Sequence, residues 1–461
     1  MSTPGPVRQG LQLAPFRGLR YASERVSSLA AVTSPPYDVV VRPDGLRHLE
    51  TADPYNIVRL ILPQTESPTA RHQQAAQTLH RWQAEGVLAP DPEPALYVYE
   101  QRDAGQLQRG LIGALRLSPP EEGIVLPHEN VMPHVVEDRA DLMRATAANL
   151  EPLLLSYDGA HPGSANGSPN GAHPAAPAPD APAPDGPAPA APRGVQAVID
   201  RAVQRPPLLA TTTEDGVAHR LWRIADPAEI AEATTDLGRH QALIADGHHR
   251  WATYLRLRAE RHAPGPWDFG LVLLVDTARY PLRVRAIHRL LRQLSPADAL
   301  AAVGDAFRVR PVAGPLPDAL AALATAQHEA AESGGPANAF LLAGGGEFHL
   351  LDRPDPARLA AAVPQDRPQT WRELDATVLH TLLLDQIWQV PDAPEHIGYI
   401  HDAVAAVKQT ERHGGTAVLM RPVAEEVVRE LAQQGVAMPH KSTSFGPKPA
   451  TGLVLRSLEL G

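Results

Sequence analysis

Cysteine is absent from this 461-residue chain. Its absence excludes disulfides, thiol nucleophiles and Cys-ligated metal together. Lysine is scarce: Lys408, Lys441 and Lys448 stand alone, and arginine carries nearly all of the positive charge. No apolar run approaches the roughly twenty residues of a membrane span, and the opening MSTPGPVRQG lacks the hydrophobic centre of a signal peptide. A cytoplasmic protein with no membrane partner is therefore expected. The net charge of −10 argues against non-specific nucleic-acid binding, which needs a positive surface to displace counterions. Residues 159–193 hold no large apolar side chain and are dominated by Pro, Ala, Gly, Ser and Asn. Such a stretch cannot offset the entropy of ordering, so a disordered, extended insertion hanging from a surface loop is predicted there. What remains is ordinary for a globular protein, with 43% hydrophobic and 20% charged residues and length enough for two or three domains.

The informative stretch is QALIADGHHRWATYLRLR, Gln241 to Arg258. Leu243 and Ile244 form a short apolar run of strand type, Asp246 and Gly247 make a turn, and Trp251, Tyr254 and Leu255 recur at helical spacing. A strand that turns through glycine into a helix aims backbone N–H groups at whatever lies above the turn, which suits an anion. His248, His249 and Arg250 crowd that helix start. Cations there oppose the helix dipole, so a bound phosphate would resolve the conflict. The bland alternative is an Asp-capped helix whose charges point into solvent.

Other stretches carry chemistry less directly. Ser34-Pro35-Pro36-Tyr37-Asp38 cannot lie inside a helix; such a rigid loop suits substrate-binding residues at Tyr37 and Asp38, and equally a domain-edge turn. Asn56 and Arg59 flank an apolar run read as a strand, on opposite faces, so one of the two is expected in any given pocket. His128-Glu129 sits between prolines without the second histidine of a zinc-protease motif. Glu129 is instead a candidate to ligate Mg²⁺ or act as general base. Met438–Lys448 places Lys441, Ser442, Thr443 and Lys448 in one loop. It lacks the glycine frame of a P-loop, yet its hydroxyls and lysines suit phosphate or a substrate carboxylate. Beyond residue 295, alanine-rich helical patterns predominate.

ADGHHRWAT resembles the DGHHR signature of the bacterial domain of unknown function 1015 family. The resemblance extends through APFRGLRY, SPPYDVV, DPYNIVRL, LPHENVMP and MPHKSTSFGPKPATGL, in family order. The turn-helix signature is also similar to the phosphate-binding motif of the ParB/sulfiredoxin superfamily, which includes free serine kinases. The resemblance implies a mixed α/β fold: a ParB-like nucleotide-binding domain over residues 1–290, interrupted by the insertion, and a mainly helical domain over 291–461 that contributes the Lys-Ser-Thr loop. It implies an ATP- or ADP-dependent, Mg²⁺-assisted kinase for a small, serine-like hydroxyl compound. Asp246, Glu129 and His248 would be catalytic, with Asp246 and Glu129 as metal ligands. Arg17, Gly247, His249, Arg250, Lys441, Ser442, Thr443 and Lys448 would hold the nucleotide. A nucleotide-binding regulator without catalysis, or a metal-dependent hydrolase on His248, His249, Asp246 and His128, are the alternatives. The oligomeric state is left open.

Overall fold

A computed structural model of the chain describes residues 10–40, 43–65, 67–103, 105–160, 194–332 and 336–460. The expected insertion over 159–193 falls, from residue 161 onward, outside the described residues. The chain divides into two compact units. One holds residues 1–126, 131–281 and 448–461, and the other 127–130 and 282–447. Among the described residues no helix is long and apolar enough to cross a membrane.

The first unit is built on a nine-stranded mixed sheet. At its centre Leu153–Tyr157 and Phe269–Asp276 run parallel, flanked by Ala242–Asp246 and by the long hairpin Leu96–Asp103 and Gln106–Arg116. Phe269–Asp276 is buried along nearly its whole length, as a strand covered on both faces must be. Leu155, Ile244, Trp251, Val272 and Leu274 share one core. A small four-stranded sheet takes Leu455–Ser457 between Gly18–Tyr21 and Ala148–Asn149, so the last residues of the chain pack within this unit.

The stretch after Asn56 is a correction. It was expected to be a strand, but Val58–Ile61 is a single helical turn. Asn56 decides it: its Oδ1 accepts from Val58 N–H at 2.9 Å, the local side-chain bond that starts a helix. A longer helix follows over Pro68–Ala84, with Ala75, Leu79 and Trp82 buried along one stripe and Gly86 beyond its end at φ +70.

The second unit corrects the expectation of a mainly helical C-terminal portion. It carries a six-stranded antiparallel sheet in the order Arg308–Val312, Glu347–Asp352, Phe340–Gly344, Thr416–Leu419, His288–Leu291 and Ile397–Ile400. Helices such as Leu316–Glu332 and Ala403–His413 pack against it. The edge strand, with sequence RVRPV, exposes its charged residues and so carries no apolar signal. Gly345 and Gly346, at φ +62 and +81, make the tight hairpin turn between Phe340–Gly344 and Glu347–Asp352, the pair of left-handed residues that such a turn requires.

Candidate functional site

Strand Ala242–Asp246 runs into Gly247 and on into helix His248–Ala259. Gly247 lies at φ +103, and a Cβ there would meet Leu153 Cγ at 2.8 Å. Backbone conformation and space both select glycine. The helix closes its first hydrogen bond from Trp251 N–H to the Gly247 carbonyl. The amides ahead of it have no acceptor within the helix, as at any helix start.

Arg250 turns back under this turn and is only 6% exposed. Its Nη2 donates to Asp246 Oδ2 at 2.8 Å, its Nη1 donates to the Pro152 carbonyl at 3.3 Å, and Nη1 lies 3.9 Å from Glu151 Oε2. Burial opposes the charge, but Glu151 and Asp246 outweigh it and hold the guanidinium firmly protonated. Glu151 accepts from Tyr37 N–H at 2.9 Å. Burial pushes its carboxyl above the usual range despite Arg250 nearby. On the other side, Lys448 Nζ lies 2.5 Å from Asp246 Oδ1 and also bonds Asp38. Burial works against that ammonium too, and the two carboxylates reverse the effect.

The result is an alternating series: Asp38, Lys448, Asp246, Arg250, Glu151. Its outer end is Asp38, whose side chain is 38% exposed. Burial raises the Asp38 carboxyl, but Lys448 and Arg250 together take it below its ordinary value. The backbone explains the meeting of distant residues. Ser34 and Thr451 exchange both backbone hydrogen bonds, at 3.1 and 2.8 Å. That pairing lays the Pro35–Asp38 loop against the segment carrying Lys448. Tyr37 is covered by Arg139, whose guanidinium lies 4.6 Å from the ring centroid, and burial pushes its hydroxyl up to about 12.

A pH prediction follows from Asp38. Its folded pKa is depressed, so the stability it contributes is present above the ordinary value of 3.8 and is lost as pH falls through the lower folded value. Asp38→Asn is expected to flatten the acid limb of stability against pH in that window. A wild-type limb and a variant limb that superimpose would contradict the pairing.

The remaining candidates lie outside this series of charges. His248 is buried, and His249 Nε2 accepts from Met132 N–H at 3.1 Å, which places its proton on Nδ1. Asn56 is fully buried and bonds the Ala31 and Thr33 carbonyls at 2.7 and 3.1 Å, a clamp on the chain before the Pro35–Asp38 loop. Arg17 donates to the Asp91 carbonyl at 2.9 Å and Arg59 to the Glu50 carbonyl at 2.6 Å. Glu129, Lys441, Ser442 and Thr443 belong to the second unit. There Ser442 Oγ donates to the Pro439 carbonyl at 2.5 Å, and Thr443 Oγ1 lies 3.0 Å from His128 Nε2. His288 accepts from Met420 N–H at 3.2 Å, and burial lowers its pKa to about 4. It is a neutral core histidine.

A metal does not fit the Asp246 position. Both carboxylate oxygens are held by cations, Arg250 on one and Lys448 on the other. Among the described residues no group of three or more His, Asp or Glu side chains converges to hold an ion. Glu151 and Arg139 are the members of the cluster that the sequence signals poorly. Asp246 and Arg250, by contrast, stand four residues apart within one strand-turn-helix unit.

A family model described as "Protein of unknown function (DUF1015)" matches residues 13–170 and 189–377. The chain belongs to the DUF1015 family. No curated protein matches this DUF1015 chain. Among solved structures it is similar to a free serine kinase in complex with AMP, at 14% identity and TM-score 0.34, covering 73% of this chain and 90% of that one. A mutant free serine kinase in complex with ADP is similar at 13% identity and TM-score 0.35, with the same coverage of 73% and 90%. A conserved hypothetical protein from Pyrococcus furiosus is similar at 15% identity and TM-score 0.33, covering 73% and 94%.

Proposed function

We propose that this DUF1015 chain binds ATP or ADP at the Gly247 turn and transfers the terminal phosphoryl group to a small hydroxyl compound, serine-like acceptors being the first to test. The observation that carries the reading is Asp38, a partly exposed carboxylate held in its ionised form by Lys448 and Arg250, joined through Asp246 to a glycine turn and helix start of the kind that receives phosphate. A ParB-like character for the first unit belongs to the same proposal.

Phosphoryl transfer asks the protein chiefly for positioning and charge neutralisation. Asp38 accepts the hydrogen bond of the acceptor hydroxyl and orients its oxygen at the terminal phosphorus. As the new P–O bond forms, the bond to the leaving nucleotide breaks and the hydroxyl proton passes to Asp38. A carboxylate of low pKa suffices because the transition state is loose and the proton leaves late. Lys448 limits the negative charge gathered around the reacting group. Asp246 serves as the anchor of Lys448 and Arg250 and not as the base, because both its oxygens are occupied. No step is routed through a protein-held metal; Mg²⁺ arriving on the nucleotide is one arm of the test.

Asp38→Asn separates the kinase from a regulator that merely binds nucleotide. ATP and ADP, with and without Mg²⁺, are expected to raise the melting temperature of both proteins, as any ligand of the native state does. Formation of phosphorylated product, followed by phosphorus NMR with serine and related alcohols, should fall by about a hundredfold or more in the variant. Nucleotide stabilisation with no product from any acceptor would leave the regulator. No stabilisation by any nucleotide would remove both readings.

A further inference from the structure

We propose that Glu151 is a positioning residue for phosphoryl transfer: it holds the turn that carries Asp38 in a fixed place relative to the Gly247 turn. This role rests on the kinase reading and adds to it the part that sets the distance between acceptor and phosphate.

Pro35 and Pro36 carry no N–H, so Tyr37 N–H is the first backbone donor after Ser34. Val39 N–H donates to the Pro36 carbonyl at 2.9 Å, which makes Tyr37 and Asp38 the central residues of a tight turn. The first central N–H of such a turn has no acceptor within it and must find one elsewhere. Glu151 Oε1 accepts it at 2.9 Å and also accepts from Thr451 Oγ1 at 3.5 Å. Thr451 is the residue whose backbone pairs with Ser34, so one carboxylate ties the turn to that pairing. The Tyr37 ring is held as well. Its centroid lies 4.6 Å from the Arg139 guanidinium and 5.7 Å from that of Arg250. Arg139 is itself anchored, to Asp138 at 3.0 Å and to the Ile61 carbonyl at 2.9 Å.

Glu151 stands on the sheet that also carries the phosphate turn. It precedes strand Leu153–Tyr157 by two residues, and Leu154 of that strand pairs with Asp246, the residue before Gly247. At 5% exposure, Glu151 is packed in place with that strand. The hydrogen bond to Tyr37 thus fixes a loop residue to a rigid element, as a reacting constellation requires. Misplacement by about 1 Å can cost about a hundredfold in rate. Neutralising Arg250 is the other task open to Glu151. Its Oε2 lies 3.9 Å from Arg250 Nη1, beyond hydrogen-bond range, whereas Oε1 makes the shorter contact with Tyr37 N–H.

Two conservative variants separate reach from charge. Glu151→Asp keeps the charge but draws the carboxylate back by one carbon–carbon bond, out of hydrogen-bond range of Tyr37 N–H. Glu151→Gln keeps the reach and an acceptor oxygen but loses the charge. Product formation from serine and related alcohols is measured in the full chain with ATP and Mg²⁺ and with ADP, at saturating nucleotide. Glu151→Asp is expected to lower kcat by about tenfold or more, with acceptor KM and calorimetric ADP affinity unchanged. Most of the lost rate should return in Glu151→Gln. Hydrogen exchange of the segment 34–40 should quicken in Glu151→Asp and not in Glu151→Gln. A wild-type kcat in Glu151→Asp, or a loss in Glu151→Gln as deep as in Glu151→Asp, overturns the positioning role while the kinase stands. So does a fall in ADP affinity that matches the fall in kcat. No product from the wild type with any acceptor removes the kinase reading and this role with it.

Discussion

Lys448→Met is expected to lower the free energy of unfolding by about 3 kcal/mol. Methionine keeps the length and most of the packing of the lysine stem, so the loss isolates the charge. Lys448 is 19% exposed and lies between Asp38 and Asp246. Removing it leaves two carboxylates facing each other, with only Arg250 to satisfy Asp246. Breaking one partner of a buried pair typically costs about 3–5 kcal/mol. The lower end applies because the Asp38 side chain, at 38% exposure, can recover water. Lys448→Met combined with Asp38→Asn should cost less than Lys448→Met alone, since the second change removes a repelling charge. Urea unfolding of the three proteins reads these differences directly. A single-variant loss under about 1 kcal/mol would place Lys448 among surface ion pairs of little consequence.

Arg250→Leu should be at least as costly, about 3–5 kcal/mol, and its cost should depend on pH. Arg250 holds Asp246 at 2.8 Å and offsets Glu151 at 3.9 Å. Without it, Asp246 still has Lys448, but Glu151 is left in a buried site with no cation of its own series. Burial already raises the Glu151 carboxyl, and loss of Arg250 raises it further. A group whose folded pKa exceeds its unfolded value contributes stability below the unfolded value and loses it as pH rises through the folded one. The penalty of Arg250→Leu should therefore grow between acid and neutral pH. Adding Glu151→Gln should flatten that growth. A penalty that is the same at pH 5 and pH 8, with or without Glu151→Gln, would show that Arg250 does not compensate Glu151.

Legibility in the sequence followed a physical line between local and distant causes. The strand-glycine-helix unit at Ala242–Ala259 was readable because an apolar run, a left-handed glycine and a helical period lie within a few residues of one another. The turn after Asn56 was misread because Ile57 to Leu62 offers an apolar run too short to tell strand from helix, and one side-chain hydrogen bond settled it. Arg250 was found in position but not in direction. The sequence places it at a helix start, where a phosphate is one answer to its charge; Asp246, four residues earlier, is the answer the fold uses. Glu151 carried little signal, since its partners Tyr37 and Arg250 are 114 and 99 residues away. Lys448 stood out through the scarcity of lysine, although Asp38, 410 residues earlier, could not be named as its partner. In the second unit, the weight of alanine-rich helical sequence hid how far the sheet extends, since its edge strand is charged.

Whether a nucleotide occupies the Gly247 turn is decided by calorimetric titration of ADP into wild type, Gly247→Ala and His249→Ala. Gly247→Ala places a Cβ against Leu153 and forces a residue into φ +103, a strain of about 1–3 kcal/mol at the point where phosphate would approach the backbone. Circular dichroism establishes that each variant is folded before titration. The expected result is one ADP bound per wild-type chain, with affinity lowered about tenfold or more in each folded variant. Equal affinity in all three proteins, or no binding by the wild type, would contradict it.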